Sequence, residues 1–146
     1  MIYTQFYQYF PALAIKETRC ISAFINNDFG VPADDYGLIE LFCETPDCDC
    51  RRVMLMVMSG KSNTQVAVIN FGWESRKFYE KWYRAKDKSE IDELKGPCLN
   101  RMSQQSKYAA KILEMVGTTV LKEENYIERL KQHYHLFKDK INSNKK

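Results

Sequence analysis

Three cysteines fall within one short segment, Phe42-Cys43-Glu44-Thr45-Pro46-Asp47-Cys48-Asp49-Cys50-Arg51-Arg52, with the spacing C-x4-C-x-C. Thiolates are the ligands zinc takes most readily in structural sites, with Zn–S near ~2.3 Å and usually four donors in a tetrahedron. Pro46 and Asp47 favour a tight turn between two apolar runs, so the three sulfurs converge at little cost in loop-closure entropy. Three thiolates outweigh the charge of Zn²⁺, and Arg51 and Arg52 follow directly as candidates to offset the excess. A fourth donor is required. His133 comes first, because it falls on the apolar stripe of the last helix and so points inward. Cys98, after Gly96-Pro97, comes second and Cys20 third, whereas His135 lies off the stripe and reads as exposed. The competing readings of the trio are buried free thiols and a regulatory disulfide, Cys43–Cys48 or Cys43–Cys50.

Other chemistry is less well marked. Asp47 and Asp49 alternate with the cysteines, with Glu40 and Glu44 nearby; this carboxylate group fits a solvated loop better than acid–base work or a hard cation. A Cys–His nucleophile pair using His133 would need a third, orienting group that the sequence does not show. Phe71-Gly72-Trp73-Glu74 and then Phe78, Tyr79, Trp82 and Tyr83 are interleaved with Arg76, Lys77, Lys81, Arg84 and Lys86, a combination that can clamp single-stranded nucleic acid. At helical spacing Phe78, Trp82 and Ala85 are more simply core, with Tyr79 and Tyr83 half-exposed. Glycine-rich phosphate loops, metalloprotease His-Glu patterns and serine elbows are absent from the sequence.

The elements that must position these residues follow from period and punctuation. Ile2–Phe10 reads as a short strand or docked arm interrupted by Pro11, and Cys20–Ile25 as a short strand. Tyr36–Cys43, Arg52–Met58 and Gln65–Phe71 read as three strands joined by short connections, with Ser59–Asn63 as a turn. Val53–Met58 is apolar on both faces, which marks a central strand covered on both sides. The period then changes. Ser75 caps a helix over Arg76–Ala85, and Ser103 caps another with Tyr108, Ile112, Met115 and Val116 in its stripe, ending near Gly117. A last helix spans about Glu123 to Ile141, where Tyr126, Leu130, His133, Phe137 and Ile141 share a face. The expected fold class is therefore α+β: an antiparallel three- to four-stranded meander with C-terminal helices packed on it. It forms a single domain over 1–141, followed by a disordered basic tail at 142–146.

Composition bounds the function classes. Of 146 residues, 45% are apolar and 13% aromatic, enough for a proper core and far from a disordered composition. The net charge of +3 is too mild to imply a nucleic-acid protein, although six basic residues between Arg129 and Lys146 face a single acidic one, Asp139. No apolar run approaches the ~20 residues of a membrane span, and the N-terminus lacks the pattern of a signal peptide. The expected location is the cytoplasm, where five cysteines read as ligands or thiols rather than a disulfide framework.

The hairpin and the strands after it resemble a family of uncharacterised bacterial proteins. The resemblance is carried by Cys43, Pro46-Asp47, Cys48-Asp49-Cys50-Arg51 and Phe71-Gly72-Trp73-Glu74, with echoes at Gly96-Pro97, Gln105-Ser106 and His133-Tyr134. Some members carry an appended zinc-binding tail of the SEC-C type; the segment Asn142-Ser143-Asn144-Lys145-Lys146 shows no such pattern, so no tail of that kind is expected among these residues. The resemblance implies a bacterial or archaeal cytoplasmic setting and no particular activity. The expected function is accordingly a zinc-stabilised interaction module without catalysis of its own, meeting a protein partner and no membrane. The metal would be a structural Zn²⁺ on Cys43, Cys48, Cys50 and His133. The alternatives are an enzyme with an open three-cysteine zinc site, using Glu44 or Asp49 as proton shuttle, and a nucleic-acid binder using Lys77, Lys81, Arg84 and the basic last helix.

Overall fold

A computed structural model describes residues 2–84 and 87–144, so Met1, Ala85, Lys86, Lys145 and Lys146 lie outside the described residues. The predicted meander is present as β3 (Asp34–Cys43), β4 (Arg52–Ser59) and β5 (Gln65–Gly72), all antiparallel, with Leu38 opposite Val57 and Leu55 opposite Ile69. β4 is the middle strand, as its apolar run requires. Three short strands extend the sheet to six: β1 (Tyr3–Gln5) and β2 (Arg19–Ala23) both pair with β3, and β6 (Cys98–Leu99) pairs with β5.

The helices are α1 (Pro11–Glu17), α2 (Arg76–Tyr83), α3 (Lys88–Lys95), α4 (Ala109–Thr118) and α5 (Glu124–Ser143). Pro11, expected to interrupt the chain, instead starts α1 at its first turn, where a missing N–H costs nothing. Ser75 caps α2 as predicted, its Oγ accepting from the Phe78 N–H at 3.2 Å. The predicted cap at Ser103 is not used, since α4 begins after Tyr108. α3 carries no apolar stripe and buries a single residue, Ile91, which is why periodicity missed it. The last helix continues through Asn142 and Ser143, past the expected end of the domain.

The core lies between one face of the sheet and α4 and α5. Tyr36, Leu38 and Phe42 of β3 and Val53, Leu55 and Val57 of β4 are buried there with Ile112, Met115, Leu130 and Phe137. Phe42 packs against Phe137 and Tyr134 with ring centroids 5.6 and 6.1 Å apart. The opposite face is not sealed as expected: Met54, Met56 and Met58 are only half-buried. Tyr79, expected to be half-exposed, is fully buried because Gly72 makes room for it; a Cβ at Gly72 would lie 2.3 Å from the Tyr79 hydroxyl. That hydroxyl donates to the Arg51 carbonyl at 2.7 Å and so braces the chain just after Cys50.

Candidate metal centre

Cys43 closes β3, and Cys50 stands two residues before β4, so the strand pairing itself delivers both to one end of the sheet. The connection between them turns through left-handed conformations at Asp47 (φ 61°) and Arg51 (φ 50°). It folds Cys48 back, and the ligand atoms of Cys43, Cys48 and Cys50 all lie within 4.8 Å of one another. A tetrahedral zinc holds its sulfurs about 3.8 Å apart, so modest closure would bring the trio to coordination distance. Cys43 and Cys50 are fully buried, whereas Cys48 is half-buried between exposed Asp47 and Asp49.

The electrostatics favour the anionic form at Cys43 and the thiol form at Cys48 and Cys50. Cys43 is pulled down to about 4, chiefly by a hydrogen bond from Cys50, with further help from Thr45 and the Lys138 charge. The Thr45 N–H reaches Cys43 Sγ at 3.4 Å. Cys50 is pushed up because it donates to Cys43 and is buried; Cys48 is pushed up by burial and by the Cys43 charge. The trio thus shares one thiolate, and a metal would displace the remaining thiol protons.

The neighbouring cation is not the one anticipated. Arg51 is spent on Asp49 and Glu74, at 2.8 and 3.2 Å, and lies over the Phe78 ring. Arg52 is buried and donates to the Leu94 carbonyl and the Tyr3 hydroxyl. Lys138 of α5 takes the role instead. Its buried ammonium donates to the Cys43 carbonyl at 2.7 Å and the Thr45 carbonyl at 3.4 Å. A buried ammonium needs an anion as well as carbonyls, and the cysteine thiolate beside it supplies one. Sequence reasoning missed Lys138, although it stands one place after Phe137 of the apolar stripe. Two further ties from α5 fix the loop: the Asp47 N–H donates to Asn142 Oδ1, and the Arg51 N–H to the Tyr134 hydroxyl.

The structure does not bring His133 to the cysteines. Its ring is buried among Phe6, Glu40 and Glu17, with Nδ1 2.6 Å from Glu40 Oε1 and Nε2 2.7 Å from Glu17 Oε1. Both ring nitrogens are occupied, which leaves none for a metal. The inference that an inward histidine turns toward the sulfurs failed because α5 runs along β3, meeting Glu40 through His133 and Phe42 through Phe137 before it reaches Cys43. Lys138, five residues later, reaches the cysteine end; His133 meets the middle of β3. Cys98 and Cys20 are also elsewhere. Cys98 lies on β6, its thiol donating to the Glu93 carbonyl at 3.6 Å, and Cys20 is exposed on β2. His135 is exposed, as expected. The carboxylates form no joint site: Glu44 accepts from the Tyr9 hydroxyl, Asp49 pairs with Arg51, and Glu40 turns to His133.

No protein-family model matches the chain, and no match was found among curated proteins or solved structures. Among the described residues no helix is long and apolar enough to cross a membrane.

Proposed function

We propose that this chain is a zinc-binding interaction module, in which Cys43, Cys48 and Cys50 hold a structural Zn²⁺ that fastens the β3–β4 connection to α5. The observation carrying this reading is the convergence of three sulfurs beside a buried ammonium, on a loop already tied to α5 through Lys138, Tyr134 and Asn142. A metal there would supply closure that the loop lacks, since its only internal main-chain bond is Cys48 N–H to the Thr45 carbonyl at 3.3 Å. With His133 and Cys98 engaged elsewhere and Cys20 exposed on β2, the fourth donor in this reading is a solvent molecule or a group offered by a protein partner at the half-exposed Cys48 side.

The test is metal content per chain, measured on protein purified under reducing conditions without added metal, with Cys50→Ser as control. Near one zinc in the wild type and none in the variant supports the site. Metal-free wild-type protein that melts at the same temperature with and without added zinc overturns it.

A further inference from the structure

A second constellation lies at the middle of β3. β1 pairs with β3 at residues 41–43 and β2 pairs at 34–38, so neither covers Ile39 and Glu40 on that edge. The chain between β1 and β2 arches over this gap as a 3₁₀ turn (Phe6–Gln8) and α1. Beneath it is a cavity of about 500 Å³, within the range of small-molecule sites. Its walls are mainly apolar, with Phe6, Ile15, Ile39, Met56 and Met58 among them, and its polar lining includes Glu40 and His133.

The polar pair is built and held. Glu40 is 5% exposed and His133 1%, and Phe6 stacks on the imidazole with centroids 4.3 Å apart. With Glu40 and Glu17 both ionised, each ring nitrogen must donate, which is the imidazolium form. That leaves two carboxylates, Glu17 and Glu40, around one imidazolium. Arg129, whose guanidinium donates to the Glu17 carbonyl at 3.0 Å, stands on the Glu17 side. Glu40 spends Oε1 on His133, while its Oε2 has no hydrogen-bond partner among the described residues. The one buried side-chain polar atom without a partner among those residues is the Tyr126 hydroxyl, so Oε2 is not sealed in the core and is accessible to the cavity that Glu40 lines.

We propose that this cavity binds a small organic cation, an amine or amidine on an apolar body, with its nitrogen donating to Glu40 Oε2. A half-used buried carboxylate calls for a cationic donor, because a charge-assisted bond is the strongest way to satisfy its free oxygen. The aliphatic walls at Ile15 and Ile39 and the thioethers of Met56 and Met58 accommodate a cation's carbon skeleton. An anionic ligand would meet the carboxylate, and a purely apolar one would leave Oε2 dry. The site is independent of any metal on the cysteines.

The test uses the full chain, with methyl-labelled Met56 and Met58 as reporters and three probes of matched shape: 2-phenylethylamine, 2-phenylethanol and 3-phenylpropionate. The amine is expected to shift both methionine methyls at millimolar concentration and to bind at least about tenfold tighter than the alcohol, with no binding by the acid. Glu40→Gln should remove that preference. Ile15→Arg changes an exposed residue at the cavity wall and should weaken the amine while leaving the fold intact, which guards against a misfolded Glu40 variant. Equal binding of amine and alcohol, tighter binding of the acid, or no methyl shift with any probe overturns the proposal.

Discussion

The C-terminal part and the middle of α5's buried face organise two sites of opposite origin. At the cysteine end every sulfur comes from one hairpin, and α5 adds a cation, Lys138, and fastenings. At the centre, His133 joins Glu40 and Glu17 across sequence separations of 93 and 116 residues. The first site needs little more than a strand pair to assemble. The second exists only when α1, β3 and α5 are all docked. Local assembly suits a metal staple, which must capture its ion while the chain is closing. Long-range assembly suits a pocket whose walls must be rigid before they can select a ligand.

The largest effect that would sharpen this contrast is expected at the cysteines. Cys50→Ser should abolish zinc retention and lower the melting temperature by on the order of 10 °C, as should a strong chelator on the wild type. Metal analysis paired with thermal melts reads both quantities; a chelator-treated protein that melts unchanged would make the cysteine end no staple at all.

Next in size is His133→Leu. Removing the imidazolium leaves Glu40 buried without its partner, which should cost about 3–5 kcal/mol by urea unfolding while zinc per chain stays at the wild-type level. Loss of zinc at denaturant concentrations where the variant is still folded would show that the two regions are one site, and the comparison would break.

A smaller effect should appear with pH. Burial works against the charge on His133, but Glu40 and Glu17 outweigh it and raise the imidazole above its ordinary value. Burial also raises Glu40, while the hydrogen bond from His133 lowers Glu17. A raised histidine stabilises fully below about pH 6.5 and loses that contribution as pH climbs through its folded value; a raised Glu40 acts in the same direction from its own range upward. The lowered Glu17 acts oppositely, contributing above the ordinary carboxylate range and losing that contribution only as pH falls through its folded value. With Arg129, Lys16 and Tyr126 as further ionisable neighbours of the trio, the melting temperature should fall between about pH 6 and about pH 8. The slope should flatten in a Glu40→Gln/His133→Leu double variant. A wild-type profile that rises over this interval would contradict the assignment of His133 as imidazolium.

The smallest expected change is Glu17→Gln. Glu17 is partly exposed, and glutamine keeps an oxygen for Nε2, so the loss should stay within about 1 kcal/mol. A loss as large as that of His133→Leu would shift the weight of the trio from Glu40 to Glu17.

Much of the architecture was legible from the chain. The β3–β4–β5 meander, the central place of β4 and the span of α5 all follow from apolar runs and period, and the trio is visible because its members are neighbours in sequence. Glu40 carried a readable signal that was not used: it occupies an inward position between Leu38 and Phe42, where a carboxylate demands a partner. Glu17 carried none, since a glutamate at the end of a short helix is ordinary.

By itself, then, the sequence determined what depends on local spacing: strand and helix periods, the α+β layering, and three sulfurs brought together by one turn. Tertiary structure decided which inward residue of α5 faces which part of the sheet. The stripe fixes a face of the helix but not its height against β3, and only the docked sheet places Lys138 at the sulfurs and His133 between two carboxylates. It also decided that α1 bridges a gap in strand pairing, and so that a cavity exists beside Glu40, because an unpaired stretch of edge is a property of two strands meeting a third.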